Sequence, residues 1–254
     1  MNRLELGLQK GKELYAASDA EMASHFAPDP ELFDIVNSFI YGEVFRRGDL
    51  TDQQRELMAL VVATAYQTMS ILRLHVEVSL RVGVTPVEIK EAIYQCAPFI
   101  GFAKTLTALD EVNAVFKKRN IGLPVQSQKQ VTEKERYAEG ARVQEAIFHE
   151  SAMKLAEGAP EDLRHVHRYM TEVCFGDIYS RSGLDLKTRL LLSLCILSAL
   201  GGPNSSLKAH VQGNLNVGND RQAMISAITN IIPHIGFPNA ISALTCVNEV
   251  APKR

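Results

Sequence analysis

The feature that most constrains this chain is an internal repeat centred on a histidine. The segment 72–113 aligns with the segment 207–248, and 16 of the 42 aligned positions are identical. Unrelated segments of ordinary composition would match at roughly 6% of positions. The alignment places His75 opposite His210, an offset of 135 residues. We therefore interpret the second half as a copy of the first, with the repeated histidine as the first candidate for chemistry.

The repeat continues upstream of the histidine at an offset of 134 residues, and one residue inserted near Gly201 explains the change of offset. The run 41–45 aligns with 175–179, and each contains an aromatic residue, a glycine and an acid. The acid is Glu43 in one copy and Asp177 in the other. Arg47 and Arg181 follow at matching positions. Each half therefore has an acid, a cation and an imidazole in the same order.

Helix signals recur along the chain, and no alternating run requires a strand. Thr85-Pro86 with Glu88 is the sharpest helix start, because it combines an N-cap, a proline at the first position and a capping-box acid. Apolar residues at helical spacing predict the same helix order in both halves. The predicted helices span about 30–47, 51–66, 70–81, 85–98 and 102–119, then 160–179, 186–200, one around 210, 221–232 and 237–250. The sequence thus predicts an all-α fold of two tandem antiparallel helical units.

The domain organisation follows from the repeat and from one polar linker. Residues 1–27 are predicted to form an N-terminal helical arm, and 28–120 the first unit. Residues 121–157 are predicted to be a linker and connecting helix, with the helix over about 133–156. The second unit is predicted over 158–254.

Composition excludes several classes of function. The net charge is −2, so no basic surface for nucleic acid is indicated. No run of eighteen apolar residues indicates a membrane span, and the first residues lack the apolar core of a signal peptide. We expect a cytoplasmic protein with no nucleic-acid or membrane partner. The four cysteines have no C-x-x-C spacing, which favours buried thiols over a redox pair or a metal site.

The repeated histidine and acid each have two interpretations. His75 and His210 lie among apolar residues, where a histidine can be a satisfied core residue or a neutral group that transfers a proton near pH 7. Glu43 and Asp177 can be solvated helix residues, or buried acids that orient the histidine or act as a base.

The repeated arginines also have two interpretations. Arg47 and Arg181 can complement a helix dipole, or can bind a substrate carboxylate through the planar guanidinium. A second repeated pair, Arg55 and Arg189, is predicted to form structural ion pairs.

Taken together, these residues resemble the carboxymuconolactone decarboxylase family, which shares its fold with the alkylhydroperoxidase-D proteins. The resemblance covers roughly 33–115 and 163–249, and the second copy matches more clearly. The matching blocks are 175–185, with Tyr179, then 188–189, 207–211 and 235–238, with His234 beside the last. The resemblance implies an alkylhydroperoxidase-D-like helical unit in each half.

The resemblance also implies a reaction, which is the cofactor-free loss of carbon dioxide from a small carboxylated lactone in aromatic catabolism. Arg47 or Arg181 would bind the carboxylate of this small organic acid, with Tyr179 and His234 as further substrate contacts. His75 or His210 would protonate carbon, and Glu43 or Asp177 would set its tautomer. Neither a cofactor nor a metal is implied. The expected assembly is a homotrimer with six quasi-equivalent units.

Two other functions stay open at this point. The peroxidase branch of the fold carries C-x-x-C-x-x-x-H, but here the two cysteine positions hold Thr68 and Ile71 before His75. A thiol peroxidase would therefore have to use other cysteines. The decarboxylase branch tends to carry a glutamate just before the histidine block, where this chain has Ser70-Ile71. A non-catalytic binding or scaffold protein is the third possibility.

Overall fold

The computed structural model describes residues 1–16, 28–149 and 158–253, and within these ranges every regular element is a helix. The predicted all-α tandem fold is confirmed. The predicted arm residues 17–27 and the residues 150–157 of the predicted connecting helix lie outside the described ranges. The α-helices are α1 (Arg3–Tyr15), α2 (Pro30–Val36), α3 (Asp52–Tyr66), α4 (Met69–Arg81), α5 (Pro86–Ile100), α6 (Phe102–Lys118), α7 (Arg136–Phe148), α8 (Arg164–Tyr169), α9 (Leu186–Leu200), α10 (Asn204–Asn216) and α11 (Arg221–Val250).

Two π-helical segments, which the sequence analysis did not predict, follow α2 and α8. They span Asn37–Tyr41 and Met170–Tyr179. A short 3₁₀ turn lies at Val44–Arg46, and another at Glu161–Leu163. The wider turns of a π-helix shift the side chains around the helix axis and often occur at functional sites. The second π-helix contains the repeated run 175–179, and the first ends at Tyr41, where the run 41–45 begins.

The capping residues act as the sequence predicts. Thr85 accepts a hydrogen bond from the backbone of Glu88, and the Glu88 side chain accepts one in return from the Thr85 backbone. Helix α5 passes through Pro98 and ends at Ile100, two residues later than predicted. A proline near a helix end removes only one backbone hydrogen bond and already has helical φ, so the last turn survives. Gly101 then turns the chain with φ of 84°.

Helix α11 covers the two predicted helices 221–232 and 237–250 as one element with a break at Gly236. Gly236 has φ of 75°, which a residue with a Cβ adopts only with strain. Gly101 and Gly236 are therefore the same turn in the two units, and each redirects the chain after a proline-containing helix.

The core is shared between the two units. Helix α3 packs against α9, and each of these also packs against the proline-containing helix of the other unit, α11 and α5 respectively. Both central helices are buried on almost every side, and their apolar residues belong to one continuous cluster. The two halves therefore form one body around a pseudo-twofold arrangement, so side chains of one unit can complete a site in the other.

Close helix packing fixes α1 on the first π-helix and α7 on the second. A Cβ added at Gly7 would lie 2.1 Å from the carbonyl oxygen of Asn37, and one added at Gly140 would lie 2.2 Å from that of Thr171. These distances leave room only for glycine. Helices α1 and α7 therefore hold equivalent places in the two units.

We expect Gly140→Ala to lower the free energy of unfolding by about 1–3 kcal/mol, because the new methyl group would displace α7 from the π-helix. This loss would exceed the gain that alanine normally brings inside a helix. Urea denaturation followed by far-UV circular dichroism measures the change. Gly122→Ala is the matched control, since a Cβ there meets nothing within 4 Å. Equal stabilities of the two variants would contradict the packing argument.

Candidate active site

A cavity of about 650 Å³ lies in the first unit, beside the repeated histidine. Its walls come from α1, the α2 segment and its π-helix, α3, α4 and the α11 segment of the second unit. Ten of the twenty lining residues are apolar, and apolar walls with a limited set of polar groups are typical of sites for small molecules. The polar and aromatic-polar groups among them are Tyr15, Asn37, Tyr41, Arg55, Glu56, Tyr66, Thr68, His75, Asn230 and His234.

The central feature of the cavity is an imidazole–carboxylate pair. The Nδ1 atom of His75 lies 2.8 Å from Oε2 of Glu56. His75 is 7% exposed and Glu56 is 1% exposed, so the pair is shielded from bulk water. With Nδ1 bonded to the carboxylate, Nε2 has no hydrogen-bond partner among the described residues. Such a ring can accept or deliver a proton at Nε2, depending on its protonation state.

Arg55 supplies positive charge to the same cavity. Its guanidinium donates to Oδ1 of Asn230 at 3.0 Å and to the carbonyl of Arg47 at 2.9 Å, and it lies over the ring of Phe45. Within 1–16, 28–149 and 158–253, no carboxylate lies at ion-pair distance from Arg55. Burial lowers the pKa of Arg55, but an arginine stays charged at neutral pH. An anionic ligand would relieve the cost of this buried charge.

The second unit contributes a histidine to this first-unit cavity. The ring of His234 lies 5.3 Å from that of His75, centroid to centroid, in an edge-to-face arrangement. Burial, and then the neighbouring His75, lower the pKa of His234 to about 3. The imidazole is therefore neutral at physiological pH, where it can donate one hydrogen bond and accept another.

Two tyrosines, Tyr15 and Tyr41, also line the cavity. The hydroxyl of Tyr15, at the end of α1, hydrogen-bonds to the hydroxyl of Tyr41, at the end of the π-helix. Burial raises the pKa of Tyr15 to about 12 and raises that of Tyr41 as well. Both phenols are therefore protonated at neutral pH and can donate hydrogen bonds.

The equivalent region of the second unit has lost these polar groups. Phe148 and Phe175 replace the two tyrosines, Leu190 replaces Glu56, and Phe99 replaces His234. Three of these residues, Phe148, Phe175 and Leu190, pack in one apolar cluster with Tyr179 and Ile147. The second unit therefore has a packed hydrophobic core at the place of the cavity.

His210 itself is enclosed by aromatic rings. Phe99 and Phe148 lie 5.8 and 5.5 Å from it, centroid to centroid. Its Nδ1 lies 2.9 Å from the carbonyl oxygen of Ser206, and burial lowers its pKa. His210 thus has a backbone partner where His75 has a carboxylate.

The structure does not bring Glu43 or Asp177 to the histidines. Glu43 pairs with Arg3 of α1 at 2.8 Å, and Asp177 pairs with Arg136 of α7 at 2.6 Å. Both acids are partly exposed and attach the preceding helix to its unit. The acid that reaches His75 is Glu56.

The other expected substrate-binding residues also lie elsewhere, except His234. The exposed Arg47 approaches the cavity only through its carbonyl, which Arg55 contacts. Arg181 pairs with the buried Glu91 at 2.8 Å, and the hydroxyl of Tyr179 bonds to Ser193 at 2.6 Å. The arginine that lines the cavity is Arg55, which the sequence analysis assigned to a structural ion pair.

The predicted ion pair is present in the second unit. Arg189 is completely buried and donates to Glu91 at 2.8 Å and to Gln95 at 3.1 Å. For Arg55 of the first unit, the aligned counterparts of Glu91 and Gln95 are Ser226 and Asn230 of the second unit, so the amide contact is conserved and the carboxylate is missing.

The cysteines are unsuited to peroxide chemistry. Burial raises the pKa of all four thiols, to about 11 for Cys174. None lines the cavity, and the structure records all four as free thiols. Since the thiolate is the nucleophile, a raised pKa makes these thiols unreactive at neutral pH.

Metal-binding clusters and membrane-spanning helices are both absent from the described ranges. Residues 1–16, 28–149 and 158–253 contain no group of three or more His, Cys, Asp or Glu side chains that could hold a metal ion. In the same ranges, no helix has the length and apolar character needed to cross a bilayer.

Sequence reasoning missed Glu56 because it relied on the repeat. The counterpart of Glu56 is Leu190, so this acid has no copy to mark it. A usable signal was present, since Glu56 is an acid inside the otherwise apolar helix α3, and such a residue is seldom buried without a partner. The expected glutamate just before the histidine block is replaced by an acid that reaches His75 from the preceding helix.

Comparison with known proteins agrees with the architecture. A curated 4-carboxymuconolactone decarboxylase from Acinetobacter baylyi is 29% identical over 118 residues, which is 46% of this chain and 87% of that protein. The model of the Carboxymuconolactone decarboxylase family matches twice, at residues 30–114 and 164–249. These two matches cover most of both helical units, and the chain belongs to the carboxymuconolactone decarboxylase family.

Proposed function

We propose that the protein is a cofactor-free decarboxylase that acts on a small carboxylated lactone in the first-unit cavity. The observation that carries this proposal is the buried His75–Glu56 pair, which shares an apolar cavity with Arg55, a cation without a carboxylate partner among the described residues. The similarity to 4-carboxymuconolactone decarboxylase names the class of substrate to test.

The reaction requires a group that binds the carboxylate and a group that protonates carbon, and the cavity contains a candidate for each. A cation must hold the substrate carboxylate, and Arg55 is placed for this. When the bond to the carboxylate breaks, carbon dioxide leaves and its electron pair forms an enolate with the lactone carbonyl. A general acid must then protonate carbon, which Nε2 of His75 can do when the ring is protonated. Glu56 stabilises that imidazolium and holds its orientation across the 2.8 Å hydrogen bond.

The test is carbon dioxide release from 4-carboxymuconolactone by the wild-type protein and by Arg55→Gln. We expect turnover in the wild type and a KM raised about 10-fold or more in the variant, because a charged hydrogen bond to a carboxylate is lost. Arg47→Gln is the matched control, since its guanidinium lies outside the cavity. Absence of turnover by the wild type on this lactone and on related carboxylated lactones would refute the proposal.

The non-catalytic alternative is less well supported. A scaffold protein would have no need for an open cavity with an unneutralised guanidinium, and the second unit illustrates how such a site closes when apolar residues replace its polar ones. The thiol-peroxidase alternative is disfavoured by the burial and raised pKa values of the cysteines.

The expected homotrimer and the cytoplasmic location stay predictions. Exposed apolar residues at matching positions of the two units support self-association. Phe102 and Phe237 are 60% and 57% exposed, and Leu106 and Ile241 are 59% and 60% exposed. A surface that occurs twice in one chain can join copies through repeated contacts.

A further inference from the structure

We infer that the Tyr15–Tyr41 hydroxyl pair is an oxyanion site, which donates a hydrogen bond to the enolate oxygen formed in the cavity. This inference rests on the proposed function and adds to it a residue pair and the chemical class of the group it recognises.

When two hydroxyl groups are hydrogen-bonded to each other, one of their two hydrogens is left without an acceptor. Each phenol carries a single O–H hydrogen, and the bond between Tyr15 and Tyr41 uses one of the two. No other hydrogen-bond partner of either hydroxyl is present in the described part of the chain. Since both residues line the cavity, the second hydrogen is available to a ligand there. The raised pKa values keep both phenols protonated, so the pair acts as a donor.

The architecture holds the pair in place. The packing of Gly7 on Asn37 brings α1 against the π-helix, and the Arg3–Glu43 ion pair ties the start of α1 to the same segment. The two rings meet at 5.9 Å, with an interplanar angle of 79°. A donor that is already in position does not have to reorganise when negative charge develops, and this is the condition for strong transition-state stabilisation.

The second unit provides a natural comparison. Phe148 and Phe175 occupy the places of the two tyrosines with nearly the same geometry, at 6.0 Å and 86°. The ring packing therefore does not need the hydroxyls. The hydroxyls occur only in the unit that also has the cavity, Glu56 and His234, which indicates a role in the chemistry of that cavity.

In the decarboxylation step, the two phenols act only as hydrogen-bond donors. The carbon–carboxylate bond breaks, its electron pair becomes the enolate double bond, and the carbonyl π electrons move to oxygen. That oxygen accepts the spare phenol hydrogen bond while both phenols keep their protons. Protonated His75 then transfers a proton to carbon and later regains one from water.

The direct test measures binding of 4-nitrophenolate, an oxyanion without a carboxylate, by the change in its absorption spectrum. We expect the Tyr15→Phe/Tyr41→Phe double variant to bind it at least about 10-fold more weakly than wild type. The single variants Tyr15→Phe and Tyr41→Phe identify which hydroxyl donates the spare hydrogen bond to the ligand. Loss of that hydroxyl alone should give most of the effect. Tyr179→Phe is the matched control, since it removes one buried hydroxyl bond, to Ser193, in the second unit.

Turnover gives the second measurement. With 4-carboxymuconolactone, the double variant should lose about 100-fold in kcat with KM nearly unchanged, because the enolate charge develops only in the transition state. Phenolate binding and kcat equal to those of Tyr179→Phe would overturn the inference. If wild type binds phenolate through the tyrosines but does not decarboxylate the lactone, the oxyanion site stands and the proposed function falls.

Discussion

Replacing His75 by alanine should lower kcat for decarboxylation by roughly 1,000-fold, because the group that protonates carbon is lost. The same substitution at His210 should leave kcat within about twofold of wild type. His210 lies between Phe99 and Phe148, bonds to a backbone carbonyl and does not line the first-unit cavity. Initial rates of carbon dioxide release, together with circular dichroism of each variant, separate the two outcomes.

Glu56→Gln refines this experiment. The amide can still accept or donate a hydrogen bond at Nδ1 of His75, but it cannot stabilise the imidazolium charge across the 2.8 Å contact. We expect kcat to fall by at least about 10-fold, since the imidazolium formed on His75 would lose its anionic partner. Equal losses in His75→Ala and His210→Ala would contradict a single first-unit site and would point to two active units.

The helical architecture could be predicted from the sequence because it depends on local signals. Capping residues such as Thr85 and Glu88 act within one turn, and positive-φ glycines such as Gly101 mark turns wherever they occur. The repeat then supplied the tandem arrangement. The π-helices were not predicted, since a single extra residue in a helical turn leaves the apolar pattern almost unchanged.

The site was harder to predict, because the reasoning assumed that chemistry survives in both copies. That assumption selected Glu43 and Asp177, which attach α1 and α7 through ion pairs that both units need. Several groups at the cavity differ between the units, such as Glu56 against Leu190 and Tyr15 against Phe148, whereas His75 and Arg55 are repeated. In this duplicated chain, the acids with a structural role occur in both units. A polar group that serves a function of one unit, such as Glu56, occurs in that unit alone.

The two buried arginines, Arg55 and Arg189, also differ in their surroundings, and this difference affects stability. Arg189 is neutralised by Glu91, whereas Ser226 takes the aligned position of Glu91 in the second unit and offers Arg55 no carboxylate. A buried charge that has lost its partner costs several kcal/mol. Arg189 of the second unit therefore gains an ion pair with the first unit, whereas Arg55 keeps its charge available for binding.

We accordingly expect Glu91→Ala to lower the free energy of unfolding by about 3–5 kcal/mol, because Arg189, completely buried, and Arg181, largely buried, would both lose their carboxylate. Urea denaturation at a fixed protein concentration measures the change. Glu139→Gln is the control, since its pair with Arg142 is largely exposed and should contribute less than about 1 kcal/mol. A Glu91→Ala protein as stable as Glu139→Gln would mean that water or another group neutralises Arg189. The Glu91 ion pair would then not explain a difference in stability between the Arg189 and Arg55 sites.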